Sequence, residues 1–122
     1  MADEISYSGS LTCSNNNLEF SVVESFLADQ TTLGGPSPGT LEIGTTYEAI
    51  STTDITNKGF AFFKNLDATN FVEIGLDVSS TFYPFIKLLP GQSAIVPLSP
   101  AVSLYGRANT AAVKLTAHVL EA

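Results

Sequence analysis

The side chains that could carry out chemistry in this 122-residue chain are few and scattered. His118 is the one histidine, so no second imidazole exists to form a metal-binding pair with it. Cys13 is the one cysteine, which excludes an internal disulfide and reads as a small apolar residue pointing inward. Asp67, Glu73 and Asp77 could pair as the two carboxylates of glycoside hydrolysis. The same spacing puts Glu73 and Asp77 on one face of a strand, where they form an ordinary solvated surface. Carbohydrate hydrolysis usually needs aromatic platforms as well, and tryptophan is missing. Oxygen ligands for calcium could converge from Asp54-Ile55-Thr56-Asn57 and Asn65-Leu66-Asp67. The D-x-D-x-D-G spacing of a calcium loop is absent, and turn chemistry accounts for these residues better. Serine and threonine are plentiful, yet no G-x-S-x-G elbow occurs. Gly34-Gly35 is followed by Pro36, which removes an N–H that a phosphate-cradling loop would use. The inventory points to a protein that is not an enzyme and carries no cofactor or metal.

The elements around these residues are strands. Between Gly59 and Ser99 four apolar segments, Phe60 to Leu66, Phe71 to Val78, Phe82 to Leu88 and Ser93 to Leu98, alternate with short polar turns. Turns of that length join neighbouring antiparallel strands, so the stretch reads as a central meander. In the second segment Val72, Ile74, Leu76 and Val78 share one face, and Phe71, Glu73, Gly75 and Asp77 the other, wet one. The third segment is apolar on both faces, and Pro84 within it favours an edge or a bulge. A strand of that kind needs covering, which makes Phe82, Tyr83, Phe85, Leu88 and Leu89 the expected subunit interface.

Upstream, Ile5, Tyr7, Gly9, Leu11 and Cys13 alternate with Ser6, Ser8, Ser10 and Thr12, a strand with one small polar face. Asn15-Asn16-Asn17 is a turn, and Leu18 to Val23 a second strand. From Phe26 the pattern is lost, and Phe26 to Asp29 could form a helical turn. The Gly34-Gly35-Pro36-Ser37-Pro38-Gly39 cluster reads as the longest loop, outside any regular element. It serves either as a crossover or, through Gly34, Gly35, Pro36 and Pro38, as a partner-contact loop. Short strands are expected at Leu41 to Ile43 and Tyr47 to Thr53, and a longer one from Val102 to Arg107 ending at Asn109. The last runs from Val113 to Leu120, where Ala and Leu enrichment leaves a helix open. Eight or nine short strands in one domain, residues 1–122, imply an all-β antiparallel sandwich, most naturally a jelly roll. Residues 1–17 either join it or form an N-terminal arm.

Charge narrows the partners. The formal net charge is −7, and the five basic residues are too few for binding phosphate backbones, so neither nucleic acid nor an anionic membrane is expected. Residues 1–57 hold eight acids and no base, and residues 58–122 four acids and five bases. Such asymmetry either steers one subunit toward another or only keeps the protein soluble. The N-terminus has neither the basic nor the apolar run of a signal peptide.

Three stretches, NLDATNFVEIG at Asn65 to Gly75, FYPFIKLLPGQ at Phe82 to Gln92 and LYGRANTAA at Leu104 to Ala112, resemble small virion structural proteins of tailed double-stranded DNA bacteriophages. The resemblance runs from about Gly59 onward. It implies an all-β decoration or cement protein on the virion surface, made in the bacterial host cytoplasm. A homo-oligomer, foremost a trimer, bound to the major capsid protein is expected. A tail or fibre component, or a glycan- or protein-binding module using Tyr7, Tyr47, Tyr83 or Tyr105, is the alternative. The shared motifs mark strands and turns, so no functional residue carries over.

Overall fold

A computed structural model of the chain describes residues 4–30, 34–52 and 55–121. The described residues form ten strands and no helix, and every strand pair is antiparallel. Two compact units divide the chain, Met1–Thr31 and Thr32–Ala122.

The first unit is a ribbon of β1 (Ile5–Asn15) and β2 (Leu18–Ala28). Its pairing runs without a break from Asn15 opposite Leu18 to Ile5 opposite Ala28. Asn16 opens the two-residue loop with φ of 54°, the positive value that a mirror-image hairpin turn asks of its first residue and that asparagine tolerates. Expectation and structure differ twice here. Phe26 to Ala28 is strand rather than helical turn, because the distant Ile5 to Tyr7 segment pairs with it. Cys13 is exposed rather than inward, since a two-stranded ribbon has no interior of its own.

The second unit holds two four-stranded sheets. One orders β3 (Ser37–Ile43), β10 (Val113–Glu121), β5 (Lys58–Asn65) and β8 (Ser93–Pro97); the other orders β4 (Glu48–Ala49), β9 (Tyr105–Ala108), β6 (Val72–Val78) and β7 (Thr81–Leu88). Alternation decides which side chains meet. Val113, Leu115, Ala117 and Val119 of β10, with Ala61 and Phe63 of β5, share one buried cluster with Val72 and Ile74 of β6 and Leu88 of β7. Each such aliphatic or aromatic side chain contributes about 1.5–3 kcal/mol on full burial. Strand β10 alternates buried and outward positions along its whole length, which removes the helix alternative.

The expected meander is not formed. Only β6 and β7 pair as sequence neighbours among its four segments, through Ser79 and Ser80 at φ of 52° and 65°. Strand β5 pairs instead with β10 and β8, so the chain changes sheet at residues 66–71 and returns at 89–92. Buried polar groups make the first crossing specific. The Asn65 amide donates to Asn70 O at 2.9 Å and Leu88 O at 3.0 Å, and its Oδ1 accepts from Asp67 N at 2.8 Å. Asp67 in turn accepts from Thr69 N at 2.9 Å and Asn70 N at 2.6 Å. Those backbone bonds hold the Asp67 carboxyl below the ordinary carboxylate value.

The Gly/Pro cluster is also corrected in part. Ser37, Pro38 and Gly39 belong to β3, which lies at a sheet edge where a residue without an N–H is tolerated. Strand β4 is only Glu48–Ala49, shorter than the expected Tyr47 to Thr53 segment, whose Thr53 lies outside the described residues.

Candidate interaction surface

Facing residues on paired strands project to the same side. On one side of the ribbon, Leu11, Cys13, Leu18, Phe20 and Val22 therefore adjoin one another, and Ser10, Thr12, Ser14, Glu19, Ser21 and Val23 line the reverse. The apolar members are open: Leu11 is 64% exposed, Leu18 59% and Phe20 50%. Glu24, across from Gly9, interrupts this apolar side, which resumes with Tyr7 and Phe26. The reverse is mixed, its serines standing beside the exposed Val23 and Leu27. A two-stranded ribbon is marginal alone, so an apolar face this exposed calls for a cover.

The sequence-predicted interface on β7 divides. Phe82 and Leu88 are buried, and Tyr83, Phe85 and Leu89 are exposed. Phe82 stacks on Tyr47 at 5.2 Å, with the Arg107 guanidinium 4.8 Å from its ring centre. Arg107 also pairs with Glu73 at 2.7 Å, and the Tyr47 hydroxyl donates to Asp77 Oδ1 at 3.0 Å. Desolvation first, then the Asp77 hydrogen bond, raises the Tyr47 phenol above its ordinary value. Glu73 and Asp77 thus each have a partner in the packing around Phe82. The step in the β6–β7 register falls between Ile74 and Gly75, where Gly75 meets Pro84 and Phe85 is the extra residue. Strand β7 is the sheet edge, so Pro84 occupies both an edge and a bulge.

The expected contact loop divides too. Gly35 and Pro36 are exposed, whereas Pro38 is half-buried in β3 opposite His118. Gly34 O accepts from Glu121 N at 3.1 Å, and a side chain at Gly34 would run into that of Glu121. Sequence reasoning passed over Glu121, whose buried Oε2 accepts from Thr56 N at 3.1 Å and Asn57 N at 3.2 Å. One glutamate near the chain's end gave no pattern to read. The exposed face of the ribbon was also missed as a surface, although continuing the Leu18-Phe20-Val22 alternation through Phe26 would have shown it.

His118 stacks on Phe62 at 6.2 Å on the outward side of β10, and its Nδ1 is shut off from solvent. Among the described residues no three or more His, Cys, Asp or Glu gather in the manner of a metal site; Asp54 lies outside them. Among the described residues no helix is long and apolar enough to cross a membrane. No protein-family model, no curated protein and no solved structure matches the chain.

Proposed function

We propose that the protein is a non-enzymatic structural component of a bacteriophage particle, a capsid decoration protein that self-associates and binds the lattice of the major capsid protein. The exposed apolar face of the β1–β2 ribbon carries this reading. Such a face is suited to ordering against another protein surface and offers little to a small substrate. The resemblance of the segments from Asn65 onward to virion proteins of tailed phages supplies the setting, the virion surface of a particle assembled in a bacterial host.

The fold fits the same role. Strands β3 to β10 alternate between two four-stranded sheets in the orders β3-β10-β5-β8 and β4-β9-β6-β7, which supports a sandwich of the jelly-roll type. Two units in one chain, a ribbon and a pair of four-stranded sheets, can engage different neighbours in a shell, and a trimer would match threefold positions in a lattice.

Particles assembled with and without the protein test the proposal. Cementing predicts that particles lacking it release DNA at lower temperature while keeping their geometry. Equal thermal release with and without it removes the cement function.

A further inference from the structure

The outward side of the β3-β10-β5-β8 sheet carries a second apolar surface. Pairing registers place Pro38, His118, Phe62 and Ile95 in one row across the four strands. Ile95 is 45% exposed, and Phe62 and Leu120 are half-buried. Two residues beyond Phe62 on the same side of β5 stands Lys64, exposed, opposite Thr116 on β10 and Ser93 on β8. Lys114 follows on β10, opposite Glu42 of β3.

The ribbon has the complementary order. Its apolar stretch from Leu18 to Val22 is followed two residues on, along the same side, by the exposed Glu24, beyond which Tyr7 and Phe26 resume the apolar pattern. Apolar then acid on the ribbon answers apolar then base on the sheet, with the same two-residue step, about 6.6 Å. The described part of the ribbon carries Glu4, Glu19, Glu24 and Asp29 and no base, so two ribbons repel each other where ribbon and sheet attract.

We propose that the apolar face of the ribbon in one copy docks on the outward face of the β3-β10-β5-β8 sheet in a second copy of this chain, with Glu24 meeting Lys64. This rests on the self-association reading and names its surfaces. The contact is head-to-tail, joining two different patches, and closes as a ring. One ribbon face is small beside the roughly 800 Å² per partner of a stable interface. In a ring each copy gives one ribbon and receives one, which doubles the area per subunit.

Charge exchange tests the pairing. Glu24→Lys and Lys64→Glu alter exposed positions, and circular dichroism checks that each variant keeps its strands. Each alone is expected to weaken assembly about tenfold by light scattering, and the double variant to restore it. In the unaltered protein a short bis-maleimide should not join Cys13 of one copy to Cys13 of another. An oligomer indifferent to both single exchanges overturns the docking and leaves self-association standing. Efficient Cys13-to-Cys13 cross-linking also overturns it, because ribbons would then meet each other. An unaltered protein that is a monomer throughout overturns both readings.

Discussion

Gly75 sits directly opposite Pro84 across the β6–β7 pair, and a Cβ on Gly75 would stand 2.5 Å from the Pro84 Cα. The backbone cannot give way as a flexible side chain would, so the bulge that exposes Phe85 depends on the missing side chain at position 75. Gly75→Ala is expected to destabilise the protein by about 1–3 kcal/mol, the usual range for overpacking. Gly9→Ala, where a Cβ meets nothing within 4 Å, is the control and should leave the denaturation midpoint nearly unchanged.

Asn65 is fully buried and ties the first sheet crossing to β7. Asn65→Ala removes the amide and leaves the Leu88 and Asn70 carbonyls and the Asp67 N–H without their partners. A loss of about 2–4 kcal/mol follows from the cost of buried unsatisfied groups, measurable by urea denaturation. A variant as stable as the parent would show that water replaces the amide without cost.

Asp67 gives the crossing a pH dependence. Its carboxyl is held below the ordinary value of 3.8 by the Asn70 and Thr69 N–H groups. A depressed folded-state value means that its contribution is complete above the unfolded value and fades as pH falls through the folded one. The melting temperature of Asp67→Ala should therefore lie below that of the parent at pH 7, and the gap should close below about pH 4. A gap independent of pH would mean that the turn does not use the ionised carboxylate.

These positions also show where sequence is legible. Alternation along β10 marked which residues lie inside, because the strand period is a local property; along β6 it held for Val72 and Ile74 but not for Leu76 and Val78, which are exposed where the strand passes the bulge. Pro84 marked an edge or bulge for the same reason, since a missing N–H constrains its own strand. Strand partners were another matter. Six residues from Leu66 to Phe71 can close a hairpin or change sheets, and the choice falls to Asn65 reaching Leu88, far away in sequence. The ribbon was legible as two strands, but its length was not, because Phe26 to Ala28 takes its strand form from Ile5 to Tyr7. Interface candidates on β7 were chosen from hydrophobicity, which cannot separate buried Phe82 from exposed Phe85 when a bulge intervenes.

Phe20 and Phe85 separate the two surfaces that could join copies. Both are exposed, at 50% and 58%, so Phe20→Asp and Phe85→Asp should each stay folded by circular dichroism. Phe20→Asp is expected to reduce the oligomer strongly, more than tenfold in dissociation constant. Phe85→Asp should have the smaller effect. The reverse order would move the contact from the ribbon to β7.

Self-association is the central claim, and absolute mass in solution tests it most directly. Light scattering across a concentration series should give about three times the 12.9 kDa chain mass, stable on dilution until the ring dissociates. A mass of 12.9 kDa at every concentration would contradict the account.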